Sequence, residues 1–160
     1  MSRHRMLAVG PPRTYALVLD AGDSVVDELL AFADEERLQA ASLTAIGGFR
    51  EATLAYFDPE TRRYVDIPVD KQVEVLSFAG DIVRGEEGGW ALHAHAVVGD
   101  RTGGTRGGHV RSAVARPTLE VMITESPSRL RRKFDEASGL ALIDLEEVPV
   151  AVGGHNDQIS

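Results

Sequence analysis

Residues 90–110 read WALHAHAVVGDRTGGTRGGHV and hold three of the chain's five histidines, His93, His95 and His109. Side chains alternate along a strand, so His93 and His95 leave the same face. Apolar residues surround them: Leu92, Ala94, Ala96, Val97 and Val98. A polar, glycine-rich turn follows over 100–108, and His109 then opens another apolar alternation. The pattern predicts a β-hairpin that returns His109 beside the first pair. Three imidazoles converging from two adjacent strands would supply three ligands of a tetrahedral metal site and leave its fourth position open.

Spacing alone leaves two readings of this stretch: a divalent metal site, or a structural or substrate-binding histidine cluster. The hairpin distance to the third histidine favours metal, as does a turn whose glycines allow close backbone approach. The chain has no cysteine, so a transition-metal site must be built from histidine and carboxylate. Three histidines with an open position is the arrangement of catalytic zinc, which makes zinc the first expectation, with another divalent transition metal as the alternative.

The rest of the chain sets the frame. At 160 residues it fits a single domain with a real core, expected over 13–148 with flexible termini at 1–12 and 149–160. The hydrophobic fraction of 43% and charged fraction of 26% are those of an ordinary globular protein. Without cysteine there is no disulfide framework. No apolar run is long enough to span a bilayer, so no membrane partner is expected and the cytoplasm is the expected location. Net charge is -8, which disfavours a protein that coats nucleic acid, because phosphate neutralisation needs clustered lysine and arginine. The one basic cluster, Arg129, Arg131, Arg132 and Lys133, runs at once into Asp135 and Glu136 and reads as a solvated helix face.

Along the chain, TYALVLD at 14–20 is a strand by alternation and β-former content. Ser24 and Asp27 resemble a capping box. Val25, Val26, Leu29, Leu30 and Ala33 then recur at helical spacing, giving a helix over about 25–40. Strands are expected at 42–47, 52–57 and 64–67. The Gly47-Gly48 pair marks a bulge or bend, and residues 58–61 form a turn. The run 72–83 reads as a long strand with Val73, Val75 and Ser77 on one face and Glu74, Leu76 and Phe78 on the other. Beyond the histidine hairpin come a strand at 117–125, a short helix at 127–136 and a last strand at 140–148. His155 falls in the polar tail. Many strands at hairpin spacing with one main helix give an α+β fold on a largely antiparallel sheet.

This order of motifs resembles the plants-and-prokaryotes conserved (PPC) domain, found in plant AT-hook nuclear proteins and as a stand-alone protein in bacteria and archaea. The resemblance rests on GDSVVDELLAFADE, AIGGF, AYFDPETRRY, VEVLSFAGDI, LHAHAVVGDRTGGTRGGHV, TLEVMITE and RRKFDEASGLALIDL, in family order, over about 15–145. It implies a homotrimer. It also implies kinship with acetolactate decarboxylase, whose zinc is held by a His-x-His and a later histidine, matching His93, His95 and His109. Glu74 and Glu120 match acidic positions of the family pattern.

Three function classes follow, one of them plain trimeric scaffolding in which the histidines bind an adventitious ion; the other two are more specific. The first is a trimeric PPC domain with a regulatory or DNA-associated role, in contact with DNA or a DNA-binding partner. The Arg-Gly-Arg-Pro AT-hook segment of the plant proteins is absent here. The second is a zinc-dependent lyase or hydrolase on a small carbonyl or ester substrate. There Glu74 or Glu120 would move a proton, and Arg106 or Arg111 would hold an anionic group. A carboxylate on the Leu76 and Phe78 face needs a partner, either the metal or substrate, or an arginine such as Arg106 or Arg111.

Overall fold

The computed structural model describes residues 3–8, as backbone, and residues 12–145. The elements in chain order are β1 (Arg3–Ala8), β2 (Thr14–Asp20), α1 (Val25–Glu35), β3 (Ala41–Asp58), β4 (Arg63–Val69), β5 (Val73–Arg84), β6 (Trp90–Gly99), β7 (Thr105–Glu125), β8 (Arg131–Asp135) and β9 (Leu140–Asp144). The expected α+β class with one main helix on an antiparallel sheet is what forms.

Two long strands carry the architecture. β3 and β7 pair antiparallel from Ala41 opposite Glu125 to Ala55 opposite His109. The first half of β3 also pairs with β5, and its second half with β4. β6 lies between β5 and the first half of β7. The pairings β3–β5, β5–β6, β6–β7 and β7–β3 therefore close a circuit, which leaves these four strands few free edges. β2 extends the sheet from the second half of β7, and β1 from β2.

Alternation sends one face of these strands inward. Leu17, Leu19, Phe49, Leu54, Phe78, Ile82, Leu119 and Ile123 are fully or almost fully buried there. α1 closes the core with Val25, Leu29, Phe32 and Ala33. Its Phe32 meets the Tyr15 ring edge-on at 5.2 Å.

The glycine pair does what its sequence suggests. Gly47 adopts φ 144°, and a Cβ there would collide with the Thr118 carbonyl oxygen, so the bulged strand passes close against β7. Residues 42–47 and 52–57 are thus two halves of one bent strand rather than two strands. Likewise 117–125 continues the strand that carries His109.

Other expectations need correction. The short helix at 127–136 does not form. Residues 131–135 are β8, paired antiparallel with β9. The turn between them is closed by Gly139 N–H donating to Asp135 C=O at 2.8 Å, with Gly139 at φ 75°. Hairpin closure outweighs the helical propensity of the basic run.

α1 stops at Glu35 rather than near Ala40. Arg37 takes φ 51°, while Arg37 N–H bonds Asp34 C=O and Leu38 N–H bonds Ala33 C=O, both at 3.1 Å. This is a Schellman ending with arginine where glycine is usual. Ser24 is the N-cap residue, but its hydroxyl makes no capping bond. Residues 3–8, expected to be loose, form a strand on β2. The expected continuation of the last strand into 146–148, the tail at 149–160 and His155 lie outside the described residues.

In β5 a bulge re-phases the faces. Val75 opposes Val98 while Ser77 opposes Val97, so Leu76 is the extra residue. Phe78 therefore joins Val73 and Val75 in the core, and Glu74 and Leu76 are exposed.

Candidate metal centre

The histidine hairpin forms as its spacing predicts. Asp100 organises the turn: its carboxylate accepts from Thr102 N–H at 2.8 Å and Gly104 N–H at 3.2 Å, and Asp100 N–H bonds Gly104 C=O at 2.9 Å. The Thr102 hydroxyl and Lys71 Nζ also bond this carboxylate and hold its pKa well below the usual range. That register places His95 directly opposite His109, with His93 two residues back on β6.

Ring centroids are 5.1 Å apart for His93 and His95, 5.3 Å for His93 and His109, and 5.6 Å for His95 and His109. One nitrogen from each ring lies within 4.8 Å of the other two. Zinc–nitrogen bonds of about 2.0–2.1 Å in a tetrahedral site put ligand nitrogens roughly 3.3–3.4 Å apart, so the rings must draw together by up to about 1.5 Å to seat one ion. Two glycines permit the approach of the strands. A Cβ at Gly80 would come within 2.7 Å of Ala94 Cβ, and one at Gly108 within 2.6 Å of Ala55 O.

The electrostatics favour the neutral form of His93 and His109. Burial, and then the nearby His93, His95, Arg111 and Arg132, pull His109 down to about 4. Burial and then Arg132 lower His93. A neutral imidazole offers a lone pair, which is the form a metal needs. His109 Nδ1 is buried with no protein hydrogen-bond partner. An all-nitrogen, cysteine-free set of three imidazoles with an orphaned buried nitrogen fits a borderline ion such as zinc.

The surrounding shell was not legible beforehand. Tyr64 lies over His109 with centroids 5.0 Å apart. Asp81 is the register partner of His93. Arg132, from β8, is buried; its Nη2 donates to both Asp81 oxygens at 2.8 Å and lies 3.1 Å from His93 Nδ1. Arg132 belongs to the basic run that reads as a solvated helix face, so only the misread hairpin hid it.

The other nominated residues lie apart from the three rings. Arg111 stands at the edge of the cluster: it pairs with Asp66 at 2.8 Å, and its guanidinium carbon is 5.8 Å from the Tyr64 ring centre. Arg106 opposes the buried Val98, on the other side of the sheet from His95, and bonds Pro68 C=O at 2.8 Å. Glu74 is exposed opposite Gly99, four residues along β6 from His95, or about 13 Å at the usual strand rise. Glu120 is exposed opposite Ile46 and Val18, eleven residues along β7 from His109. Neither glutamate belongs to the cluster of potential ligands among the described residues.

With this geometry in view, similarity to known proteins becomes informative. A metal-containing protein from Archaeoglobus fulgidus is 31% identical, with TM-score 0.76 over 89% of this chain and 98% of its own. A Ralstonia eutropha JMP134 protein, named provisionally as DNA-binding, is 29% identical with TM-score 0.80 over 89% of this chain and 95% of its own. Among curated sequences, the bifunctional protein GlmU of Synechococcus sp. (strain JA-3-3Ab) is 32% identical over 93% of this chain. AT-hook motif nuclear-localized protein 14 of Arabidopsis thaliana is 29% identical over 58% of this chain. The match spans 23% of the length of each of these two relatives. The profile of the Plants and Prokaryotes Conserved (PCC) domain matches residues 6–127, and the chain, with the histidine hairpin inside that span, belongs to this family.

Proposed function

We propose that this chain is a metal-binding member of the PCC family, with zinc, or another divalent transition metal, held by His93, His95 and His109. The observation that carries the reading is the convergence of three ring nitrogens within 4.8 Å. The Archaeoglobus relative, described as metal-containing, supports it. The test is a His93→Ala, His95→Ala double variant, which loses its bound metal while keeping its far-ultraviolet dichroism. Full metal content in that variant would show that other residues hold the ion.

The same reading includes self-association, with a homotrimer as the expected form. Ile46, Leu76, Val97 and Met122 are 62%, 50%, 42% and 46% exposed. Register connects their face with the histidines: Met122 opposes Thr44, Thr44 opposes Ala79, and Ala79 opposes His95. An apolar outer face of this kind is commonly covered by symmetric association. Sedimentation should give three chains of 17.3 kDa each. DNA association is suggested by the names of relatives, while a regulatory role and the cytoplasm are expectations from the sequence; net charge of -8 favours a partner protein over direct contact. No helix among the described residues is long and apolar enough to cross a membrane.

A second reading is favoured by Arg111. It stands beyond Tyr64 at the edge of the cluster with its side chain 48% exposed, within reach of an anionic group. A bound divalent ion would supply Lewis acidity to a small carbonyl or ester substrate, the activity expected from the sequence. Arg111 would orient the substrate's carboxylate, and Tyr64 would wall one side. Proton transfer by Glu74 or Glu120 would need substrate or a second copy to bridge the distance from the rings. Screening small keto acids and esters with zinc-loaded protein tests this reading; turnover that survives Arg111→Ala unchanged would remove Arg111 from it.

A further inference from the structure

Arg132 is the buried arginine of the C-terminal hairpin, outside the 6–127 family match. It makes β8 and β9 part of the metal site. Its Nη1 donates to Ala141 C=O at 2.8 Å, and its Nη2 reaches Asp81 and His93 Nδ1. A guanidinium has only donors and stays charged. The contact of 3.1 Å to His93 Nδ1 is accommodated when Nδ1 presents its lone pair to a shared Nη2 hydrogen, with the ring proton on Nε2. That tautomer has nothing to offer a metal at Nε2. Asp81 Oδ2 lies 4.0 Å from the same Nδ1, and a carboxylate is the usual acceptor for the free N–H of a metal-bound histidine.

We propose that Asp81 and Arg132 are a positioning pair that selects the His93 tautomer. Arg132 holds the ring with its proton on Nε2 when the site is empty. On loading, Asp81 takes over as the Nδ1–H acceptor, the ring proton moves from Nε2 to Nδ1, and the Nε2 lone pair turns to the ion. No charge is gained or lost by the ring in this exchange. Arg132 stays bound to Asp81 and to Ala141 C=O, so the hairpin stays docked and braces the carboxylate. This rests on the metal reading above.

The test uses the tag-free full chain, with zinc alone as the probe. Ring-nitrogen NMR should show His93 Nδ1 unprotonated in the metal-free protein and protonated after one equivalent of zinc. A protonated Nδ1 in the metal-free protein, or zinc on Nδ1, would overturn the proposal. Asp81→Asn should weaken zinc binding by roughly 10–100-fold, the usual effect of losing a carboxylate behind a ligand. Should that variant fail to fold because Arg132 is left unpaired, the Asp81→Asn, Arg132→Met double variant removes the stranded charge and should show the same loss. Unchanged affinity in a folded variant would overturn the pairing alone. No zinc uptake by the wild type would overturn the metal reading beneath it.

Discussion

His95 and His109 stand directly opposite each other on β6 and β7, with ring centroids 5.6 Å apart and edge-to-face. The relation follows from a turn, 100–104, whose length and Asp100 hydrogen bonds set the register. A slip of one residue would put His109 on the opposite face. The site is therefore a property of the hairpin, and it should respond to changes that move the strands as well as to loss of a ring.

His109→Ala removes a ligand and should lower zinc affinity by more than the roughly 10–100-fold typical of losing an outer partner. Competition with a chromogenic chelator measures it. Because His109 is neutral and half-buried beside Tyr64, the metal-free variant should keep its fold.

Gly108→Ala places a methyl 2.6 Å from the Ala55 carbonyl oxygen. Strand β7 must shift away from β3, which should cost about 1–3 kcal/mol in urea unfolding. It should also reduce metal content, since His109 is the next residue. Full stability with full metal content would contradict the close packing.

Leu54 is fully buried between Ile67 and Val110. Leu54→Ala should cost about 2–5 kcal/mol through lost burial and a residual cavity. Thermal unfolding reports the change.

Glu125 gives the pH dependence. Burial alone would raise its pKa, but the Arg13 guanidinium, bonding at 2.7 Å through Nη2, and Gln39 N–H at 3.0 Å outweigh burial and lower it. The unfolded chain therefore takes up this proton first, near 4.5. The pair's contribution is complete above that pH and is lost as pH falls through the lower folded value. Glu125→Gln should flatten this part of the stability profile and cost about 1–3 kcal/mol at neutral pH.

How much of this was legible in the sequence differs by element. The histidine hairpin was, because period-two alternation and a glycine-rich turn are local signals. The helix ending at Arg37 was not, since its left-handed residue is arginine instead of glycine. The β5 faces were misphased beyond Leu76, because one bulged residue inverts the alternation and nothing in VEVLSF marks it. That error put Glu74 and Phe78 together and gave the glutamate a buried setting it does not have. Arg132 was missed for a non-local reason: its role depends on β8 meeting β5 near Arg84, with Asp81 three residues away.

A gel shift with a random-sequence duplex at physiological salt and micromolar protein should show no retardation, given the net charge of -8. Retardation under those conditions would contradict the charge argument and restore direct DNA contact.

Metal content bears most directly on the whole account. Protein purified without a histidine tag should carry about one equivalent of zinc, or of nickel or manganese in its place, per chain, since three ligands converge on one ion. Less than about a tenth of an equivalent, with none regained on incubation with zinc, would contradict it.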